Sequence, residues 1–177
     1  MPRVRPRRLT RRVVYDGRII RTELDRVRLP NGRRATLEVV RHRGSVVLTP
    51  QPSRDRIVLV RQFRYVIGKW IWELPAGSME PGERPKAAAK RECEEEIGLS
   101  PNNVRLLTSL YPSPGFCDEI MHFYHCSELG PPSHPVHQDV DEELEVRVFT
   151  LKEARRLERA GRIIDMKTVI GLRLVRS

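Results

Sequence analysis

The sequence GSMEPGERPKAAAKRECEEEIGL, residues 77–99, carries the strongest structural signal in the chain. Its three consecutive alanines are the best helix formers, and Pro85 suits a first helical turn, where its missing N–H costs nothing. Gly98 stands where the glycine that ends a helix belongs. The pattern predicts a helix over residues 84–97.

Three glutamates of this helix, Glu92, Glu95 and Glu96, are spaced i, i+3 and i+4, so their carboxylates share one face. Like charges at this spacing repel unless a cation neutralises them. Because Mg²⁺ combines a few carboxylates with substrate phosphates and water, the face is interpreted as a metal platform for phosphate chemistry. An ordinary solvated acidic face is the alternative. The neighbouring apolar stripe, predicted to pack on a sheet, consists of Ala89, Cys93 and Ile97.

The rest of the chain is predicted to form strands and two further helices. Turn pairs such as Asp16-Gly17 and Asn31-Gly32 separate short strands over residues 13–49, and the apolar run Ile57–Val60 is predicted to lie at the centre of a sheet. Later strands are expected at 104–110, 120–126 and 145–149, with helices at 151–160 and 165–174. The prediction is one α+β domain over residues 13–177.

The 177 residues carry a formal net charge of +10, of which six arginines in residues 1–12 account for more than half. We predict that these residues form a flexible basic arm; contact with nucleic acid is the less favoured alternative. With no long apolar run, a membrane span is not expected. Three cysteines cannot all pair within the chain, which favours a reduced, cytoplasmic protein.

Residues 77–99 also resemble the Nudix box, Gx5Ex7REUxEExGU, in which U is aliphatic. Every fixed position matches, and Cys93 at the first U position is the one departure. The resemblance implies a Nudix fold, a mixed β-sheet sandwiched between helices with an N-terminal antiparallel meander. It implies Mg²⁺, or Mn²⁺ in its place, as cofactor. The implied metal ligands are Glu92, Glu95, Glu96 and the backbone carbonyl of Ala76, supported by Gly77, Glu83 and Arg91.

The flanking residues resemble the ADP-ribose pyrophosphatase branch of that family, notably Ser113-Pro114-Gly115 followed by Asp118-Glu119 and the run Arg61–Arg64. The resemblance implies cleavage of ADP-ribose to AMP and ribose 5-phosphate, and a homodimer formed through N-terminal strands within residues 13–42. The candidate substrate-binding residues are Arg64, Glu80, Ser113 and Glu119. For Arg64 an ordinary ion pair is the alternative.

In this branch a glutamate on a late loop deprotonates the attacking water, a role that falls on Glu142, with Glu143 as second choice. Trp70 and Trp72 are candidates for stacking on adenine or for packing. A zinc site at Cys117, His122, His125 and Cys126 is disfavoured by its spacing. Two alternative functions stay open: a Nudix hydrolase acting on GDP-mannose, NADH, FAD or capped RNA, and a non-catalytic nucleotide-binding module.

Overall fold

The computed structural model describes residues 4–132 and 144–175. Their strands are β1 (Arg7–Asp16), β2 (Ile20–Arg28), β3 (Arg34–His42), β4 (Ser45–Pro50), β5 (Arg56–Arg64), β6 (Lys69–Glu73), β7 (Ala76–Ser78), β8 (Ser100–Leu110), β9 (Met121–Gly130) and β10 (Glu145–Thr150). The helices are α1 (Pro85–Ile97), α2 (Leu151–Arg159) and α3 (Met166–Leu174), with a 3-10 turn at Tyr65–Ile67.

The chain divides into two compact units. The single domain predicted over residues 13–177 stays a prediction. The first unit contains the residues up to Gly44 together with Leu110–Met121, and the second contains Ser45–Ser109 and the described residues from His122 onward. The division follows the hydrogen bonding, because β1, β2 and β3 form a sheet of their own. Patterns of alternation identify strands but not which sheet a strand joins.

In the first unit, β2 pairs antiparallel with both β1 and β3. The predicted flexible arm is wrong for residues 7–12, which lie in β1. Arg11 explains the difference, since its Nε lies 3.0 Å from Glu23 and 3.3 Å from Asp25, two buried acids of β2. Arg41 adds an Nε–Oε2 contact of 2.8 Å to Glu23. The hydrogen bond from Arg41 lowers the pKa of Glu23. Burial opposes this effect and the charges of the nearby arginines add to it, so the pKa of Glu23 stays below its usual range.

The second unit holds two sheets, ordered β10-β5-β6 and β7-β4-β9-β8. The central position predicted for residues 57–60 is confirmed, because β5 lies between two antiparallel partners. Strand β4 is buried along its whole length. Val46 and Leu48 share a core with α1, and Thr49 lies against Gly171 of α3. Since neighbouring side chains on a strand point to opposite faces, this arrangement places β4 between two helices.

Helix α1 follows its sequence signals closely. Pro85 occupies the first turn, and Gly98 ends the helix in the left-handed conformation with φ +67°, donating its N–H to the carbonyl of Glu94. The predicted stripe of Ala89, Cys93 and Ile97 is buried in the core. This packing leaves the glutamate face of α1 turned toward β7, with which the helix is in contact. Among the described residues, no helix has the length and apolar character needed to cross a membrane.

Candidate active site

The loop before α1 is tied to the helix by a two-point ion pair between Glu83 and Arg91. Arg91 donates from Nε to Oε1 and from Nη2 to Oε2, both at 3.0 Å. Nη2 also reaches the carbonyl of Ser78 at 3.2 Å, and the Glu80 N–H donates to Glu83 at 2.9 Å. The hydrogen bonds from Arg91 keep the pKa of Glu83 below its usual range. The loop is therefore fixed to the helix by charge-assisted bonds.

The three glutamates of the helix face lie at the junction of α1 and β7. Glu92 and Glu95 each accept a 2.7 Å hydrogen bond from Nη1 of Arg91. Glu96 accepts from the backbone N–H of Ala76 at 3.2 and 3.3 Å. Glu92 and Glu96 are buried, whereas the Glu95 side chain is 38% exposed. Arg91 thus offsets part of the repulsion that the i, i+3, i+4 spacing creates.

Gly77 allows the closest approach between β7 and α1. A Cβ added there would lie 2.0 Å from Cδ of Glu92 and within 2.2 Å of both carboxylate oxygens. The glycine of the box therefore leaves room for the Glu92 carboxylate, which lies where a side chain of residue 77 would be. Two glutamate carboxylates consequently meet the backbone of the Ala76–Gly77 segment.

This donor set is suitable for a divalent cation. Carboxylate and carbonyl oxygens are the ligands that Mg²⁺ prefers, and Glu92 and Glu96 bring two carboxylates to the Ala76–Gly77 backbone. Within residues 4–132 and 144–175, no three His, Cys, Asp or Glu side chains gather closely enough to hold a metal ion. Glu92 and Glu95 each direct one carboxylate oxygen at Arg91 instead.

Arg64 was predicted to bind substrate, with an ordinary ion pair as the alternative. In the structure it forms an ion pair with Glu73. Its Nε donates to Oε1 of Glu73 at 2.7 Å and its Nη2 to Oε2 at 2.9 Å. Glu73 is fully buried and also contacts Nζ of Lys167. Hydrogen bonding to Glu73 raises the pKa of Arg64, and the charge of Glu96 contributes to that rise. Arg64 is therefore held at the end of β5 by a buried acid of the neighbouring strand β6.

The other predicted substrate residues lie in separate surroundings. Glu80 is exposed in the loop before α1. In the first unit, the carbonyl of Ser113 accepts hydrogen bonds from the N–H groups of Phe116 and Cys117, forming a turn. Glu119 lies 3.8 Å from Nδ1 of His42 in the same unit. Glu142 and Glu143, the candidate bases, lie outside the described residues.

The two tryptophans and the two histidines make separate local contacts. Trp72 packs edge-on against Phe149 at 4.9 Å between ring centroids, and the half-exposed Trp70 lies 5.8 Å from Phe63. His122 contacts Ser109 at 2.8 Å and His125 contacts Gln51 at 2.9 Å. The two histidines thus bind different partners.

The sequence reasoning missed Glu73 and Lys167, the residues that contact Arg64. Glu73 was visible as a lone acid in the apolar run ahead of Ala76, which is a signal for a buried charge that needs a partner. Lys167 gave no such signal, since 94 residues separate it from Glu73.

Comparison with known proteins assigns both parts of the chain. Residues 40–168 match the NUDIX domain, and residues 7–40 match the nucleoside diphosphate sugar hydrolase N-terminal domain. A protein named methanol dehydrogenase activator from Bacillus methanolicus is 39% identical over 90% of this chain and 86% of its own length. ADP-ribose pyrophosphatase from Bacillus subtilis (strain 168) is 36% identical over the same shares. ADP-ribose pyrophosphatase from Mycobacterium tuberculosis (strain ATCC 25618 / H37Rv) is 32% identical over 93% of this chain and 80% of its own.

The crystal structure of an ADP compounds hydrolase superposes on this chain with a TM-score of 0.85. The superposition covers 99% of this chain and 94% of that one at 24% identity, and it shows that the two share a fold. The predicted Nudix fold is confirmed by this match, and the box of residues 77–99 lies inside the matched domain. The chain therefore belongs to the Nudix family of pyrophosphohydrolases.

Proposed function

We propose that this protein hydrolyses the pyrophosphate of ADP-ribose to AMP and ribose 5-phosphate, using Mg²⁺. The observation that carries the proposal is the meeting of Glu92 and Glu96 with the Ala76–Gly77 backbone. The relatives named ADP-ribose pyrophosphatase support the substrate. Relatives named GDP-mannose pyrophosphatase, 32% identical over 79% of this chain, keep the alternative of another nucleoside diphosphate sugar open.

In the proposed mechanism, Glu92, Glu95, Glu96 and the carbonyl of Ala76 hold the divalent ion. When bound, the ion neutralises the pyrophosphate and makes water a better nucleophile. Glu142 accepts a proton from the water as its oxygen bonds to one phosphorus. The bond between that phosphorus and the bridging oxygen breaks, and the second phosphate leaves with the bridging oxygen. Glu83 and Arg91 keep the loop and helix in register during the reaction.

Substrate contacts are proposed for four residues. Arg64 contacts the diphosphate, which suits a planar guanidinium. Glu80, Ser113 and Glu119 accept or donate hydrogen bonds to ribose hydroxyls. Each is a polar side chain in or beside a loop, where binding residues are common.

Product analysis tests the proposed substrate. ADP-ribose, GDP-mannose, NADH, FAD and a capped RNA are supplied in parallel with Mg²⁺, and again with EDTA. We expect AMP and ribose 5-phosphate to form fastest from ADP-ribose and to disappear with EDTA. Faster turnover of another compound would replace ADP-ribose but keep the chemistry, and no turnover of any would favour a non-catalytic binding module.

Two variants test the proposed base. Glu142→Gln is expected to slow turnover while leaving Mn²⁺ binding unchanged, because the base is not a metal ligand. Glu143→Gln serves as the control, since it removes the neighbouring carboxylate. If Glu143→Gln is the damaging change, the base is Glu143.

We also propose a homodimer and a cytoplasmic location. Apolar side chains are exposed on β1, β2 and β3 and support a contact there: Val13, Val14, Tyr15, Ile20 and Leu37. All three cysteines are free thiols, which fits a reducing compartment.

A further inference from the structure

The fully buried carboxylate of Glu73, at the end of β6, is contacted by two cations. Arg64 holds both of its oxygens, and Nζ of Lys167 contacts Oε2. Lys167 is itself only 7% exposed. One cation is enough to balance the charge of one buried carboxylate. Lys167 therefore brings a second positive charge to a carboxylate that Arg64 already pairs.

The first turn of α3 supplies that cation and fixes its position. Nζ of Lys167 lies 3.1 Å from Asp165, which accepts from both the N–H and the hydroxyl of Thr168 at 3.0 and 2.6 Å. The Thr168 hydroxyl oxygen accepts from the N–H of Leu74 at 2.7 Å. Helix α3 is thus bound to the segment that leads into Ala76. The ionic cluster contains two cations, Arg64 and Lys167, and two anions, Glu73 and Asp165, so its net charge is zero.

Arg64 has an edge that these contacts do not use. Its hydrogen bonds are made by Nε and Nη2, its side chain is 41% exposed, and Nη1 has no hydrogen-bond partner among residues 4–132 and 144–175. The nearby charge of Glu96 adds to the raised pKa of Arg64, after the larger effect of Glu73. The guanidinium is therefore oriented by Glu73 and keeps Nη1 uncommitted on a partly exposed side chain.

We infer that Lys167 is a positioning residue that shares the charge of Glu73 and so leaves Arg64 with enough positive potential to bind the substrate diphosphate. This inference rests on the proposed function. Charges interact strongly where water is excluded, so a carboxylate paired with Arg64 alone would cancel most of its attraction for phosphate. With Lys167 in contact with Oε2 and Asp165, the cluster is neutral rather than negative, so Glu73 orients Arg64 while Lys167 offsets part of the Glu73 charge.

Lys167→Met tests the inference, because methionine keeps an unbranched side chain one atom shorter than lysine and removes its charge. We expect the KM for ADP-ribose to rise about tenfold with kcat within about twofold of the wild type, as for lost ground-state binding. The Kd for ADP-ribose in EDTA, measured by calorimetry, should rise by the same factor. Lys152→Met is the matched control, since Lys152 is an exposed lysine of α2 outside the cluster.

A second substitution separates charge sharing from simple structural support. Glu73→Gln added to Lys167→Met removes the carboxylate that would neutralise Arg64, and we expect the Kd to return to within about threefold of the wild type. A purely structural role predicts the opposite, because two buried substitutions should damage the fold more than one. A double variant that binds as weakly as Lys167→Met, or more weakly, would overturn the inference.

Failure of this inference is distinguishable from failure of the proposed function. If the wild type does not hydrolyse ADP-ribose, the proposed function fails, while the EDTA binding comparison still tests Lys167. Equal Kd values for the wild type and Lys167→Met, or no binding by either, would overturn the inference. If Lys167→Met does not fold, Lys167→Gln replaces it, because its amide still donates to Glu73 and Asp165 without a charge.

Discussion

Gly77 shows how a single missing side chain shapes the site. A Cβ at this position would overlap the Glu92 carboxylate, which is the far end of a flexible side chain and can move aside. We expect Gly77→Ala to keep the fold but to displace Glu92, weakening Mn²⁺ binding by about tenfold or more, the range seen when a ligand's surroundings are disturbed. Calorimetric titration with Mn²⁺ and the circular dichroism melting curve measure the two effects.

Gly130→Ala is the control for that substitution, because an added Cβ there meets no atom of residues 4–132 or 144–175 within 4 Å. It should leave Mn²⁺ binding unchanged. Unaltered Mn²⁺ binding in Gly77→Ala would show that Glu92 is not a ligand, or that it binds the ion from a different position.

The Glu83–Arg91 ion pair predicts a specific dependence of stability on pH. The folded-state pKa of Glu83 is lowered, chiefly by the hydrogen bonds from Arg91. Its contribution to stability is therefore complete above the unfolded pKa of about 4.3 and is lost as pH falls through the folded pKa. Urea unfolding of the wild type and Glu83→Gln is measured from pH 7 to 3. The difference between their free energies of unfolding should be constant above about pH 4.3 and should shrink below it. A difference independent of pH would contradict this origin.

At this scale the sequence identified residue types better than their partners. Arg64 was predicted to bind substrate or to form an ion pair, and the supporting role of Glu83 with Arg91 was implied by the resemblance to the box. The pairing of Arg64 with Glu73 and Lys167 depends on packing α3 against β4 and the segment after β6. Contacts of that kind depend on tertiary structure, and local patterns do not contain them.

Among the elements, α2 begins with a complete capping box. The Thr150 hydroxyl accepts from the N–H of Glu153 at 3.1 Å, and the Glu153 carboxylate accepts from the N–H of Thr150 at 2.9 Å. We expect Thr150→Ala to lower the free energy of unfolding by about 1 kcal/mol, the usual cost of losing an N-cap side chain. Urea denaturation measures it, with the exposed Lys152→Ala as control. A loss as small as the control's would mean that the cap does not stabilise the helix.

Element prediction succeeded where local signals were complete. Helix α1 was expected over residues 84–97 and spans Pro85–Ile97 because its first-turn proline, alanines and terminal glycine agree. Strand β1 was missed over residues 7–12, since its arginines gain their stabilising partners, Glu23 and Asp25, only through pairing with β2. Strand β7 has three residues, too few for an alternating pattern to be visible.

For the whole molecule, the exposed apolar residues of β1, β2 and β3 predict self-association. Val14 in β1 is 56% exposed. Contact between apolar side chains and water is unfavourable, and a patch of them on a strand surface indicates a site of protein association. Sedimentation should give twice the 20.6 kDa mass of the chain for the wild type. Val14→Asp should shift the mass toward 20.6 kDa, whereas Arg12→Asp on the same strand tests charge alone. A wild-type monomer would rule out the dimer.

The three free cysteines differ sharply in burial: Cys117 is half-buried in the first unit, and Cys93 and Cys126 are fully enclosed in the core of the second. The hydrogen bond with Cys126, followed by burial, raises the pKa of the Cys93 thiol and holds it in the unreactive protonated form. An alkylating reagent should therefore modify one thiol quickly and the other two only when the core beneath α1 opens. Counting labels by mass spectrometry over time would therefore give the rate at which the fold opens, with the native cysteines as the probe.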